Sequence, residues 1–381
     1  MSDEIKKLVG SALSEIIESA KNGGPKVRVG LMAAGSEHGP EEIARGARLA
    51  AQNGGVCPVM IGPKISGYDE LEWIECDEAE VPSRLEKAVK DGEVQGAVAM
   101  HFPFPLGVTT IGRVVTPGRG RPMILASTTG TSSTVRGEAM LRNAVYGIAT
   151  AKALGIANPT VGILNVDTAQ PVFRSLTHMK EKGYPIVFGT SVRADGGSVL
   201  RGNDILTGAV DVCVTDTLTG NVLMKMFSSF TTGGSYESTG WGYGPSCGEG
   251  WSYVVSIVSR ASGAPVIANA LTFNAMVVAG GLPAKVAEEL KAARKAGLDE
   301  EIEALTPKAA AAEEDVKMPP AEPTDDELHG IDVLEIDNAV KVLWKANIYA
   351  ESAMGCTGPV IKMPARHIET AKELLKQNGY L

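Results

Sequence analysis

Short, continuous runs of apolar residues recur along the chain between Lys26 and about Gly280, and each is followed by a Gly- or Thr-rich turn and a helical pattern. Runs that are apolar without alternation are typical of strands covered on both faces, as in a mainly parallel sheet. The pattern predicts an α/β fold of three layers, α/β/α, in which ligands bind beyond the carboxyl ends of the strands. The predicted strands are Val27–Met32, Val56–Ile61, Ala97–Met100, Met123–Ala126, Val161–Val166, Ile186–Phe188, Val210–Thr215 and Pro265–Ala270.

The segments on either side of this repeating pattern differ from it. Apolar residues at helical spacing predict an amphipathic helix within residues 1–24, ahead of an α/β core at 25–300. Residues 301–328 include an acidic, proline-rich stretch that is typical of an exposed connection. The last segment, 329–381, has helical patterns at Leu334–Tyr349 and Pro364–Asn378, with a Gly-rich loop and a short strand at Met354–Met363 between them.

Composition restricts the class of protein further. Of the 381 residues, 44% are hydrophobic and 21% are charged, which is typical of a folded globular protein. The net charge of −9 argues against a nucleic-acid partner, because such proteins need clustered Lys and Arg to displace counterions. The apolar stretch Val266–Leu282 is interrupted by Asn269 and Asn274, so we expect no membrane span.

The cysteines point to a reduced compartment and to one candidate nucleophile. Five cysteines without a CxxC pair fit neither a disulfide framework nor a zinc site, so we expect a cytoplasmic protein. The five histidines show no metal-ligand spacing, and no metal site is predicted. Cys356 lies between glycines, where an electrophile can reach its sulfur, and Cys247 is a second possibility because of its Gly-rich surroundings. A buried, inert thiol is the alternative for both.

Two loops have the composition of anion sites. Ala33–Glu42 places Pro40 at a helix start, where backbone N–H groups are free to bind an anion. Ser127–Thr134 has seven hydroxyl groups in eight positions and precedes a helix that bears Arg136. Either loop could hold a phosphate, or be an ordinary turn whose hydroxyl groups cap the next helix.

Two further segments carry polar or flexible residues near the predicted sheet. Asp216 and Asn221 follow the predicted strand Val210–Thr215 and would lie at the mouth of the sheet. Between residues 231 and 250, seven glycines are interspersed with three aromatic residues. We interpret Gly233–Gly250 as a mobile cover that shields a site from water, with a flexible surface loop as the alternative.

Several motifs, in this order, resemble the PlsX-like acyl-phosphate-forming transferases, relatives of the phosphate acetyltransferases with an isocitrate-dehydrogenase-like fold. Gly35-Ser36-Glu37-His38-Gly39-Pro40 is similar to the GGDHAP-type loop of that family, with Ser and Glu in place of its Gly and Asp. Val161–Val166 is similar to its LLN strand, and Asp211–Lys225 to its DVVVxDGFxGNVxLK run, with Thr217 where Gly is usual. The resemblance implies a cleft between two subdomains.

The N-terminal helix, the segment Gly240–Gly250 and the tail Glu351–Pro359 resemble more narrowly the alpha subunits of component C of glycine, sarcosine and betaine reductase complexes. In that family a selenoprotein delivers a carboxymethyl group, which ends as an acetyl thioester and is released by phosphate as acetyl phosphate. The resemblance implies that Cys356 carries the acetyl group. It also implies the selenoprotein and a ketoacyl-synthase-like beta subunit as partners in a homo- or hetero-oligomer, with phosphate as substrate and no cofactor.

This chemistry assigns roles to the loops described above. Asp216, Asn221 and His38 would act with Cys356 in catalysis, and His101 is the alternative proton carrier. An anion pocket and donors for the developing oxyanion are needed when phosphate attacks a thioester. The residues expected to bind phosphate or substrate are Gly35, Ser36, Gly39, Thr128, Thr129, Thr131, Ser132, Asn165 and Asn203.

Three other functions remain open. A stand-alone acyltransferase that moves a long acyl chain from acyl carrier protein to phosphate would need a long apolar trough and would not use Cys356. A non-catalytic scaffold that holds the beta subunit would have kept only the fold. An NAD-dependent dehydrogenase is disfavoured, because the chain has neither a dinucleotide fingerprint nor an obvious set of metal-binding aspartates.

Overall fold

The computed structural model describes residues 26–194, 196–306, 316–329, 331, 336–355 and 358–381. The helix predicted within residues 1–24 and Cys356 therefore lie outside the described residues. The strands are β1 Val27–Met32, β2 Val56–Ile61, β3 Glu72–Ile74, β4 Gly96–Ala99, β5 Val108–Val115, β6 Pro122–Gly130, β7 Thr160–Leu164, β8 Val187–Phe188, β9 Val199–Leu200, β10 Val212–Val214, β11 Gly244–Gly248, β12 Val255–Ile257, β13 Asp326–Leu328, β14 Glu351–Gly355 and β15 Gly358–Met363.

Eleven α-helices are described between and after these strands. They are α1 Pro40–Asn53, α2 Val81–Lys90, α3 Arg136–Ala153, α4 Ala169–Glu181, α5 Gly202–Thr207, α6 Thr217–Ser229, α7 Ala264–Ala279, α8 Leu282–Lys295, α9 Leu298–Leu305, α10 Ile336–Lys345 and α11 Ile368–Gln377. Short 3₁₀ helices occur at Glu78–Glu80, Phe230–Thr232 and Ala365–His367.

Twelve of the described strands form one mixed sheet, in the order β3-β2-β1-β4-β12-β11-β5-β6-β10-β7-β8, with β9 also paired to β7. The strands from β3 to β12 are parallel to one another, and so are those from β6 to β8. Between these two halves, β11 and β5 are antiparallel to both of their neighbours. The predicted α/β fold with a mainly parallel sheet is confirmed, and its two parallel halves run in opposite directions.

Apolar side chains alternate between the two faces of this sheet and meet helices on both. Met123, Leu125 and Cys213 pack in one buried cluster, whereas their neighbours Ile124 and Val212 pack in another. Successive residues of a strand point to opposite faces, so this alternation is expected of a sheet covered on both sides. The continuous apolar runs of the sequence follow from this double burial.

One predicted strand, Pro265–Ala270, is wrong. These residues form the first half of α7, which begins at Ala264 with a proline in its first turn. The helix is buried on nearly all sides, so its sequence lacks a polar face. A short apolar run has the same appearance in a buried helix and in a buried strand, which is why the pattern did not separate them.

Two predicted loops are partly strand. The hydroxyl-rich segment begins inside β6, which continues to Gly130. The predicted mobile cover contains β11, which is buried along its length at the centre of the sheet, so a mobile cover there is excluded. Gly244 shows why small residues occur in it: its φ is 82°, and a Cβ atom would lie 1.9 Å from the Ile111 carbonyl oxygen.

The C-terminal segment has a small sheet and an apolar cluster of its own. The sheet has the order β13-β15-β14, and Gly355 of β14 pairs with Gly358 of β15. Ile361, Leu343 and Leu375, from β15, α10 and α11, meet in the cluster. In the described part of the chain no single helix has the length and apolarity to cross a bilayer, although α7 and α8 pass a length and composition criterion as a pair bent by 59°.

Candidate active site

A cavity of about 280 Å³, the main cavity, is lined by residues at or just after the carboxyl ends of β4, β12 and β6. Segments that follow β1, β4 and β12 form one side of it, and the end of β6 with one face of α6 forms the other. This position agrees with the rule that α/β sheets bind ligands beyond the carboxyl ends of their strands. The lining residues are Glu37, Met100, His101, Phe102, Phe104, Thr129, Gly130, Asn221, Lys225, Tyr243, Ile257, Val258, Ser259, Arg260 and Met354.

Two cations, Lys225 and Arg260, line this cavity. Lys225 lies one turn after Asn221 on α6, so both side chains project from the same face of the helix. Arg260 follows β12, and its backbone carbonyl accepts a hydrogen bond from the Glu37 N–H at 2.9 Å, which ties this segment to the loop after β1. Within the described ranges, neither Lys225 nor Arg260 forms a salt bridge. Their charges are therefore available to an anion.

The cavity is also lined by one carboxylate, Glu37, and by neutral groups. Partial burial lowers the pKa of His101, and the positive charge of Arg260 lowers it further. The imidazole is thus neutral at physiological pH and can exchange a proton with a ligand. The Asn221 side-chain amide donates a hydrogen bond to the Thr128 carbonyl at 2.9 Å, which fixes Asn221 beside Thr129. A Cβ atom on Gly220 would lie only 1.7 Å from the Ser127 carbonyl oxygen, so glycine permits this close packing of α6 on β6.

A buried carboxyl group lies behind the wall of the main cavity. Glu237 is 4% exposed and accepts hydrogen bonds from the Ser262 hydroxyl at 3.0 Å and the Tyr243 hydroxyl at 3.4 Å. Burial raises the pKa of Glu237, although its hydroxyl partners oppose the shift. Because Tyr243 also lines the cavity, this network holds part of the cavity wall in place.

The structure brings only some of the predicted site residues to the main cavity. Thr129 and Asn221 line it, and Gly35, Ser36 and Gly39 flank the lining residue Glu37. The Ser36 hydroxyl accepts a hydrogen bond from the His38 N–H at 3.0 Å. Gly39 precedes α1, which begins at Pro40 as predicted.

Other predicted residues have structural hydrogen bonds or lie elsewhere. The Asp216 carboxylate caps α6 by accepting from the Thr219 N–H, and the Thr128 hydroxyl donates to the Tyr243 carbonyl at 2.6 Å. The Thr131 hydroxyl donates to the Ser133 carbonyl, and Ser132 faces a separate depression. Three more residues do not line the main cavity: His38, which contacts the Ala261 carbonyl, and the exposed Asn165 and Asn203.

Sequence analysis missed Lys225, Arg260 and Met354 as site residues. Lys225 could have been found from its spacing of four residues from Asn221 on a helix face. Arg260 follows β12, a three-residue strand that the apolar pattern did not identify. Met354 reaches the cavity through the fold of the C-terminal segment, for which the sequence carried no signal.

None of the cysteines that the structure describes is activated. Burial raises the pKa of Cys213 and of Cys247 to about 12, which excludes Cys247 as the nucleophile. Burial also raises the pKa of Cys57 and Cys76. Across the described ranges there is no group of three or more His, Cys, Asp or Glu side chains that could hold a metal ion.

Comparisons with known proteins place the chain in a family. The family model described as "Fatty acid synthesis protein" matches residues 27–362. The chain is 50% identical over 385 residues to the glycine/sarcosine/betaine reductase complex component C subunit alpha of Peptoclostridium acidaminophilum, covering 100% of this chain and 99% of that protein. It is 27% identical over 236 residues to the phosphate acyltransferase of Thermotoga petrophila, covering 52% and 67% of the two chains.

Among solved structures, the EutD phosphotransacetylase of Staphylococcus aureus aligns with a TM-score of 0.43 at 14% identity, over 68% of this chain and 96% of that one. The sequence matches extend beyond the motifs that first indicated the relationship and include the C-terminal tail. The chain therefore belongs to the fatty acid synthesis protein family and, within it, to the family of the component C alpha subunit of glycine/sarcosine/betaine reductase complexes.

Proposed function

We propose that this chain is an acyltransferase subunit of an amino-acid reductase complex, and that it forms acetyl phosphate from an acetyl thioester on Cys356. The observation that carries the proposal is the composition of the main cavity. It combines Lys225 and Arg260, two cations without salt bridges in the described structure, with Met354, which precedes Cys356 by two residues. The similarity to a component C alpha subunit and to a phosphate acyltransferase supports this chemistry.

The phosphate site is the cationic part of the cavity. Lys225 and Arg260 would hold the dianion, and the Asn221 side chain and Thr129 provide polar groups between them. Charged donors bind phosphate more strongly than neutral ones, and the Arg guanidinium matches two phosphate oxygens at once. The anion loops predicted from sequence thus contribute less to this site than the two cations do.

The acyl carrier is proposed to be Cys356. Met354, on β14, lines the cavity. Cys356 follows Met354 by two residues in the chain. This short separation in sequence from a cavity-lining residue supports Cys356 as the carrier.

The reaction is a transfer of the acetyl group from sulfur to oxygen. An oxygen of HPO₄²⁻ attacks the thioester carbonyl carbon, the C–S bond breaks, and the proton of the phosphate passes to the departing thiolate. The products are acetyl phosphate and the free thiol of Cys356, so no oxidant or reductant is consumed. Asn221 and backbone N–H groups are the donors proposed for the oxyanion, and His101, neutral in this site, is the proposed proton carrier.

The partners remain part of this proposal. A relative named as a subunit of a reductase complex supports assembly with other subunits. We propose that a selenoprotein supplies the two-carbon group and that a ketoacyl-synthase-like beta subunit participates in forming the thioester.

Arsenolysis of acetyl phosphate tests the proposal. Arsenate replaces phosphate and gives acetyl arsenate, which hydrolyses, so the loss of acetyl phosphate reports reversible acyl transfer. We expect arsenate-dependent loss with the full chain and none with Cys356→Ala. Cys76→Ala, which removes a thiol from the segment after β3, is the matched control and should keep full activity.

Three outcomes would contradict the proposal. Activity that survives in Cys356→Ala would exclude the thioester, and a preference for a long-chain acyl phosphate would favour the stand-alone acyltransferase of lipid synthesis. Absence of activity with either substrate, alone and with the beta subunit added, would favour the non-catalytic scaffold.

A further inference from the structure

Four aromatic residues form a cluster at the apolar end of the main cavity. The rings of Phe102 and Phe104 lie 5.1 Å apart, and the Trp251 ring lies 6.5 and 6.1 Å from them, edge-on to each. Tyr253 adds a fourth ring at 5.3 Å from Trp251. We call Phe102, Phe104 and Trp251 the aromatic wall.

A second depression lies beside the aromatic wall, and Phe102 lines both it and the main cavity. The second depression has a volume of about 150 Å³. Its other lining residues are Val89, Pro103, Pro105, Trp251, Tyr253 and the charged pair Glu86 and Lys90. Because Phe102 borders both spaces, we expect removal of its ring to enlarge the space that is open to a ligand.

The wall is held in place from several sides. Phe104 is 4% exposed, and the Trp251 indole N–H donates a hydrogen bond to the Ser246 hydroxyl of β11 at 2.8 Å. The Gly107 N–H donates to the Thr131 carbonyl at 3.0 Å, which fixes the segment that carries both phenylalanines. These contacts keep the rings from moving aside for a larger ligand.

The wall also lies beside the strand that leads to Cys356. Pro105, next to Phe104 in the chain, forms an antiparallel bridge with Ala353 of β14, and the next residue of β14, Met354, lines the main cavity. Met354, Phe102 and Phe104 therefore line the same cavity. A cavity of about 280 Å³ is also at or below the roughly 300–1,000 Å³ of pockets that hold drug-sized ligands.

We propose that the aromatic wall determines acyl-chain length, and that Phe102 limits the substrate to a short acyl group of the acetyl size. This inference rests on the proposed acyl transfer to phosphate and adds to it the residues that select the substrate. In this proposal the ring of Phe102 stops a longer chain. Such a chain would gain apolar contacts only if the second depression were open to it.

Isothermal titration calorimetry with non-hydrolysable acyl phosphate analogues tests the role of the aromatic wall without relying on turnover. Acetonylphosphonate is the methylene isostere of acetyl phosphate, and its homologue with a hexanoyl chain is the longer probe. We expect the wild-type chain to bind the short analogue and to bind the long one at least 10-fold more weakly. We expect the Phe102→Ala variant to bind the long analogue more tightly than the short one. Each added methylene that becomes buried should tighten binding by up to about four-fold.

Phe188→Ala is the matched control. Phe188 is also half-buried and pairs with another ring, Phe173 at 5.2 Å, but it lies on β8 at the edge of the sheet. The Phe188→Ala variant should keep the preference for the short analogue. Phe104→Leu provides a second variant of the wall, with a smaller change in volume, and should relax the preference in part.

The results separate failure of this inference from failure of the proposed function. Tight binding of both analogues by the wild-type chain, or an unchanged preference in a folded Phe102→Ala variant, would overturn the role of the wall and leave the phosphate site intact. If neither analogue binds, the cavity is not an acyl phosphate site, and the proposed function fails together with the inference.

Discussion

Lys225 and Arg260 approach the same space from two elements that are 35 residues apart in the chain. Lys225 and Arg260 form no salt bridge within the described ranges, although Glu37 lines the same cavity, so an anion in the cavity would have two cations to contact. Neither residue belongs to an anion-binding motif that the sequence shows. Thr129 and Asn221 could be predicted from the sequence, because hydroxyl and amide side chains cluster in their loops. A single cation at the end of an element has no neighbouring motif that would mark it as a site residue.

Replacement of Lys225 should weaken phosphate binding. Lys225→Met keeps the length and helix propensity of the side chain and removes its charge. We expect the KM for arsenate in acetyl phosphate arsenolysis to rise about 10-fold, as for a lost hydrogen bond to a charged group, with little change in kcat.

Lys295→Met, at the exposed end of α8 and away from the main cavity, is the control for the loss of one positive charge. An equal rise in KM in this variant would show that the effect comes from the overall charge of the protein. An unchanged KM in Lys225→Met would remove Lys225 from the phosphate site.

At the scale of elements, the apolar pattern predicted strands well where both faces of the sheet are covered. β1 and β2 begin and end where the pattern placed them. β11 was not predicted, because its residues are glycine, proline, serine and cysteine, which fit close contacts between backbones instead of an apolar face. For α7, burial on all sides removed the polar face that distinguishes a helix.

The contact between α6 and β6 places Asn221 and Lys225, and Gly220→Ala tests it. The added Cβ atom would lie 1.7 Å from the Ser127 carbonyl oxygen, so the helix must shift away from the strand. We expect a loss of about 1–3 kcal/mol in the free energy of unfolding, measured by urea denaturation, together with reduced arsenolysis.

Gly202→Ala is the matched control, because no atom lies within 4 Å of its Cβ position. Its stability should be unchanged or slightly higher, since alanine restricts the unfolded chain. Equal stability of the two variants would mean that the contact between α6 and β6 does not require glycine at position 220.

At the scale of the whole molecule, the cavity depends on three parts of the chain that meet only in the fold. The two halves of the sheet contribute the segments after β4 and β12 and the end of β6 with α6, and the C-terminal segment contributes Met354. The α/β class could be predicted from the sequence, because strands that are buried on both faces have continuous apolar runs. The way in which the two halves of the sheet are joined could not be predicted, because it depends on the long-range pairing of β11 and β5.

The same arrangement separates the proposed enzyme from a scaffold. A scaffold would not need two cations without salt bridges in the described part of the chain, a neutral histidine and an aromatic wall around one cavity. The proposed enzyme must carry a covalent acetyl group on one thiol, Cys356, formed from acetyl phosphate by reversal of the release step.

The most direct measurement is therefore to trap that acetyl group. The full chain is incubated with acetyl phosphate, quenched in acid to preserve thioesters, digested, and mapped by mass spectrometry with and without hydroxylamine, which cleaves thioesters. We expect a hydroxylamine-sensitive acetyl group on the peptide that contains Cys356 and none on those with Cys76 or Cys247. Arsenolysis without acetylation of Cys356, or acetylation of another residue at the rate of turnover, would contradict the proposal.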